Sequence, residues 1–323
     1  MTISPFLIVG CPRSGSTLLA SMLNRHPEIS VVRNTDVMWL PLRRVVRHGH
    51  RAMVDAYIRS QREPDLLLDR ERLLGHFGSK KCDPGHLLRA LMEAQGELQG
   101  ATVVGESTPD HLHHVPDILE AMPDARVLCI ERDGRDVALS LVRAESTHDW
   151  LRIHCHRWLA AIADQCSFAE LYPDRFRIVR FDELVGSPAR TMADIGKFLG
   201  VDWSGMAART SIRTALIPEP EAAWKTQALS EPDASRAEAW RHDATPRQVE
   251  VMQGILGDEL QRFDYAIYAD LPPAALSDRV LSVAARVLYT AAYRSARQRP
   301  PKAAQGNVQG RARTPGTERN TVS

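Results

Sequence analysis

The stretch Phe6-Leu7-Ile8-Val9-Gly10-Cys11-Pro12-Arg13-Ser14-Gly15-Ser16-Thr17-Leu18-Leu19-Ala20-Ser21-Met22-Leu23 decides the fold. Residues 6–10 form an apolar run that reads as a short buried strand, and residues 18–23 read as a helix. The turn between them has the two glycines and the hydroxyl of the phosphate loop G-x-x-x-x-G-K-[ST]. Ser16 stands where that pattern has lysine, and a cation appears three residues earlier, at Arg13. A helix N-terminus offers unpaired N–H groups and a partial positive charge, so this turn is an anion cradle. Gly15 lets the backbone approach an anion closely, Ser14, Ser16 and Thr17 add hydroxyl donors, and Arg13 adds a planar fork.

Without the lysine that reaches the β- and γ-phosphates, ordinary ATP chemistry is poorly supported, and another phosphate-bearing donor is expected. A second element fits that donor. Residues 126–130 read as a buried strand that leads into Glu131-Arg132-Asp133-Gly134, and a helix follows from about Asp136. Arg132 thus leaves the carboxyl end of a strand, where open α/β sheets bind ligands, and Ser140 lies about two helical turns beyond it. Further strands are expected at 101–105, ending at Glu106, and at 176–181, with helices at 115–122, 149–171, 188–199 and 246–263. Strands alternating with helices predict an α/β fold, a P-loop-like parallel β-sheet flanked by helices in three layers with helical insertions.

These residues resemble those of the sulfotransferases that use 3′-phosphoadenosine 5′-phosphosulfate (PAPS), in their bacterial and Golgi-type branch. The first loop is similar to the family's 5′-phosphosulfate loop, with its basic residue at Arg13. Arg132 and Ser140 resemble the arginine and serine, eight apart, that hold the donor's 3′-phosphate. Gly105-Glu106-Ser107-Thr108-Pro109 resembles the family's G-E-K-T-P, with Ser107 in place of the lysine that lies near the transferring sulfonate. Phe176 to Leu184 resembles its R-Y-E-D-L strand end, and Ser235 to Arg241 resembles the late loop that closes over the nucleotide. The resemblance covers about residues 5–268. It implies donor binding by Arg13, Ser14, Gly15, Ser16, Thr17, Leu18, Arg132, Ser140 and Arg236, with PAPS as donor co-substrate, PAP as product and no metal.

The expected reaction is transfer of a sulfonate to a hydroxyl or amine of a carbohydrate, glycolipid or small-metabolite acceptor, with a peptide tyrosine as a further candidate. In-line positioning, charge stabilisation and a base suffice for it. Arg13 is the expected charge stabiliser. Glu106 is the first candidate base and Asp36, in Arg33-Asn34-Thr35-Asp36, the second, with His111, His113 and His114 behind them. A catalytically impaired PAP-binding module and an atypical P-loop kinase are the competing readings.

Net charge is +1, which gives no electrostatic reason to expect nucleic-acid binding. Five cysteines with no C-x-x-C pair fit a reduced compartment, and with no secretory signal or membrane-spanning run at hand a cytoplasmic location is expected. Residues 1–270 read as the sulfotransferase domain, 36–100 being a helical acceptor-site insertion and 205–234 a Pro-rich cover. Residues 271–299 hold a basic amphipathic helix, centred on 276–297, whose apolar side suits a membrane surface, the enzyme core or a dimer mate. Residues 300–323 read as a disordered tail.

Overall fold

In the computed structural model the described residues are 2–61, 69–78, 80–146, 150–204, 232–268 and 276–296. Most of the predicted cover at 205–234 and the whole tail at 300–323 lie outside them. The sheet has five parallel strands, β1 (Ser4–Gly10), β2 (Ile29–Arg33), β3 (Val103–Ser107), β4 (Arg126–Glu131) and β5 (Phe176–Arg180), in the order β2-β3-β1-β4-β5. β2 is absent from the sequence reading, which gives 5–32 to β1 and its helix. Its residues Ile29–Val32 are all buried, so the strand shows no alternation that would betray it. The third strand runs to Ser107, so Glu106 lies within it rather than beyond its end.

Parallel strands put all their carboxyl ends on one edge. With β1 central between β3 and β4, the segments that follow these three strands meet at the point where strand order reverses, the place where open sheets bind ligands. Side-chain alternation along β1 divides the core. Leu7 and Val9 pack on one face with α4 (Pro84–Gln99), α6 (Gly134–Glu145) and α7 (Leu151–Leu171). Phe6 and Ile8 pack on the other with α1 (Ser16–Leu23), α8 (Phe181–Gly186) and α9 (Pro188–Leu199). The result is the three-layer arrangement that the alternating pattern predicts. The 36–100 region holds α2 (Gly49–Ser60), α3 (Arg70–Phe77) and α4, and α5 (Val115–Ala121) follows β3 after a 3-10 turn at Pro109–His114.

The segment 232–268 returns to the middle of the sheet. Trp240 N–H donates to Asp136 at 2.7 Å, and Tyr265 Oη donates to Glu131 at 2.9 Å. Arg135, fully buried, pairs with Asp133 at 2.6 Å, donates to the Ala266 carbonyl at 2.8 Å and stacks 3.7 Å above the Trp240 ring. A buried guanidinium survives only when its donors are met, and here a carboxylate, a carbonyl and an aromatic face meet them. The helix Leu276–Ala296 lies against α7, where His156 hydrogen-bonds to Ser282 at 2.9 Å.

Candidate functional site

The β1–α1 turn is shaped by its glycines. Gly10 approaches β4 so closely that a Cβ would sit 2.4 Å from the Ile130 carbonyl oxygen. Gly15 caps α1 with φ of 107°, and a Cβ there would sit 2.5 Å from the Phe181 ring. The turn therefore exposes backbone N–H groups where any other residue would clash. Arg13 also takes a positive φ, 76°, which directs it across the strand ends.

There Arg13 Nε donates to Ser140 Oγ at 3.0 Å, joining the two loops across 127 residues of sequence. Arg132 leaves β4 beside them. Its Nη2 donates to the Arg236 carbonyl at 2.6 Å and pairs with Asp136 at 3.2 Å, and its guanidinium lies 4.4 Å above the Phe181 ring. Its Nε is buried without a hydrogen-bond partner among the described residues, as is Ser14 Oγ. Unmet donors of this kind in an anion cradle suit a ligand with phosphate oxygens. Burial, and then the neighbouring Arg132, Arg236 and Arg143, pull the Arg13 pKa down. Cations pressed together in this way gain from a bound anion. Burial lifts the Asp136 carboxyl to about 6 against the opposing pull of Arg132.

A cleft of about 390 Å³ opens here. Of the expected donor-binding residues, Arg13, Gly15, Ser16, Thr17, Leu18, Arg132, Ser140 and Arg236 line it, and Ser14 is buried inside the turn. The opposite wall carries Arg33, Asn34 and Asp36 after β2, then Ser107 to Asp110 after β3, and Arg157 from α7. Five arginines line the cleft against two aspartates, so its charge favours an anionic ligand.

The candidate bases separate. Asp36 lines the cleft. Glu106 does not: it is fully buried, with Thr35 Oγ1 donating to Oε1 at 3.0 Å, Thr108 Oγ1 donating to the same oxygen, and His111 Nδ1 at 3.0 Å from Oε2. The Met38 N–H lies 3.4 Å from His111 Nε2, an arrangement that assigns the ring proton to Nδ1, facing Glu106. Glu106 therefore ties the β2 and β3 ends together behind the wall. His113 is held by Asp164 at 2.6 Å, and His114 packs edge-on to Trp39. Cys11 is buried, which pushes its thiol up to about 12 and leaves it a packing residue.

Arg33 and Arg157 are site residues that the sequence reading misses. Arg157 holds both Asp110 oxygens, at 2.9 and 3.2 Å, and Glu145 at 3.1 Å. Burial opposes its charge, but Asp110, Cys11 and Glu145 outweigh that and raise its pKa. It sits in the second turn of a long helix with no motif around it. Among the described residues, no group of His, Cys, Asp or Glu side chains could hold a metal ion, and no helix is long and apolar enough to cross a membrane.

A family model described as "Sulfotransferase family" matches residues 5–205. The chain is 29% identical over 205 residues to protein-tyrosine sulfotransferase 2 of Gallus gallus, covering 61% of this chain and 51% of that protein. It is 27% identical over 215 residues to the protein-tyrosine sulfotransferase of Drosophila melanogaster, covering 61% and 38% respectively. The chain thus spans about half the length, or less, of these curated relatives. Among solved structures, the sulfotransferase domain of the Synechococcus PCC 7002 olefin synthase superposes with a TM-score of 0.60 at 18% identity, covering 83% of this chain and 97% of that one. The sulfotransferase domain from the curacin biosynthetic pathway gives 0.56 at 18% identity, covering 83% and 99%. At that identity the likeness is one of fold.

Proposed function

The chain belongs to the sulfotransferase family, and on that premise we propose that it transfers a sulfonate from PAPS to a hydroxyl or amine of an acceptor. The single observation that carries this reading is the Arg13–Ser140 hydrogen bond with Arg132 beside it. It unites a cradle for one phosphate with a separate arginine for a second, and ATP has no group for the second. The unmet donors Arg132 Nε and Ser14 Oγ support the same ligand.

In the proposed reaction the acceptor oxygen or nitrogen attacks sulfur in line. The bond from sulfur to the bridging oxygen breaks, and its electron pair stays on the 5′-phosphate of PAP. Arg13 and the loop N–H groups balance the charge that builds on that phosphate. Asp36 takes the acceptor proton, a role supported by its place on the cleft wall, while Glu106 holds Thr35 and Thr108 in position. Arg157, on the wall that carries Ser107, provides the cation that Ser107 lacks. The acceptor is a carbohydrate, glycolipid, small metabolite or peptidyl tyrosine, the last supported by the names of the matched relatives.

Thermal-shift titration with PAP and with ATP plus Mg²⁺ tests the donor assignment. Stabilisation by PAP alone is the expected result, and stabilisation by ATP plus Mg²⁺ alone would overturn it in favour of a kinase. Transfer of labelled sulfonate from PAPS to an acceptor panel then separates an enzyme from a PAP-binding module.

A further inference from the structure

The helix Leu276–Ala296 turns the wrong side to the protein. Residues that meet the body of the molecule are Ser282, bonded to His156 at 2.9 Å, and Ala285, which is buried. Its large apolar residues face solvent instead. Val280, Leu281, Val283, Val287 and Leu288 are 51–63% exposed, and they make up five of the nine large hydrophobic residues exposed among the described residues. At 100° per residue they share one broad arc, roughly opposite the packed residues. A contiguous apolar arc of this size marks a contact rather than ordinary surface.

Charge selects the occupant. Between residues 276 and 323 the sequence has nine arginines or lysines against two acidic residues, Asp278 and Glu318. Arg286, exposed, lies among the apolar residues. An apolar arc on a helix with a strong excess of cations fits a surface that offers hydrocarbon below and negative charge above. Nucleic acid offers the charge without the hydrocarbon. A second copy of this helix offers the hydrocarbon but brings the same excess of cations to the contact. We propose that this helix lies in the interface of an anionic lipid bilayer, with Val280, Val283, Val287 and Leu288 in the acyl region. The enzyme is thereby held at a membrane surface by a helix that does not cross it. This proposal is independent of the identity of the donor.

Co-sedimentation of the full chain with vesicles tests it. Vesicles of phosphatidylcholine with about 30% phosphatidylglycerol should bind the protein at least about tenfold more tightly than phosphatidylcholine alone, and raised salt should weaken the binding. The double variant V283E/V287E should lose about tenfold or more of that binding with an unchanged melting temperature, because both side chains are already exposed. If it does not fold, V283S/V287S serves the same purpose. The variant R297Q/R299Q should weaken binding to anionic vesicles only. Wild-type protein that ignores anionic vesicles, or glutamate variants that bind as well as wild type, would overturn the proposal. So would a dimer in lipid-free buffer that V283E/V287E converts to monomer, which would give the arc to a second copy.

Discussion

The two walls of the cleft are built by opposite strategies. The wall we assign to the donor is mostly local in sequence: Gly10 to Leu18 hold a strand end, a turn and a helix start, Arg132 to Ser140 run from one strand end into one helix, and Arg236 joins them from far along the chain. The facing wall is assembled from the β2 loop, the β3 end and the second turn of α7, which contribute Arg33, Asp36, Ser107 and Arg157. A short local motif holds a phosphate because a helix N-terminus supplies most of the machinery. A wall that must recognise an acceptor has no such ready-made part, and its residues come from wherever the fold brings them. The donor side is therefore the more tightly specified of the two, and substitutions should reveal that difference.

The largest effect is expected at Asp36. As the base, Asp36→Asn should lower transfer by about a thousandfold while PAP binding stays intact, which kinetics and calorimetry can separate. Glu106 offers the contrast: Glu106→Ala should cost ~3 kcal/mol of stability by stranding His111 and Thr35 without their partner, measured by denaturant unfolding, whereas Glu106→Gln should keep most of it. Full activity in Asp36→Asn with none in a folded Glu106→Gln would reverse the two roles. On the donor wall, Arg132→Ala should weaken PAP about 100-fold, the loss expected for two charge-assisted hydrogen bonds at ~1.4 kcal/mol each. Arg157→Ala should leave PAP affinity unchanged and lower transfer, and adding Ser107→Lys should restore part of the lost rate. A structural role for Arg157 would instead appear as reduced stability without rescue.

The last prediction concerns pH rather than a substitution. Burial raises the Glu131 carboxyl to about 8, against the lowering influence of its Tyr265 hydrogen bond. The folded state therefore binds this proton more tightly than the unfolded chain does. Its contribution to stability is complete below the unfolded value near 4.5 and is lost as pH rises through about 8. Melting temperature followed from pH 5 to 9 should fall across that window, and Glu131→Gln should flatten the slope.

The same contrast governs what could be read from the sequence. The phosphate loop is legible because strand, turn and helix are adjacent, and the Arg132–Ser140 pair because its spacing lies within one strand-helix unit. Strand β2 is not legible, since Ile29–Val32 are buried throughout and lack alternation. The inward commitment of Glu106 depends on Thr35 and His111, which other segments deliver. Arg157 carries no local mark at all; only the packing of α7 brings it to the cleft. The strand–turn–helix units are set by neighbours in sequence, whereas β2, the burial of Glu106 and the position of Arg157 are set by neighbours in space.

The ties between the segment 232–268 and the β4 end have a kinetic consequence. Arg132 waits for a carbonyl 104 residues further along the chain, Arg135 for one 131 residues on, and Glu131 for a hydroxyl 134 residues on. During synthesis the sheet can assemble from residues already made, but Arg132, Arg135 and Glu131 gain these partners only once residues 236 to 266 have been made. Closing so long a loop is entropically costly and slow compared with local helix formation. A chain interrupted before residue 236 would carry the complete phosphate loop and still lack the two carbonyls, the indole and the phenol that hold Arg132, Arg135 and Glu131. On the proposed reading, the arginine assigned to the second phosphate is fixed only after residue 236 has been made, so PAP binding reports whether the 232–268 segment has docked.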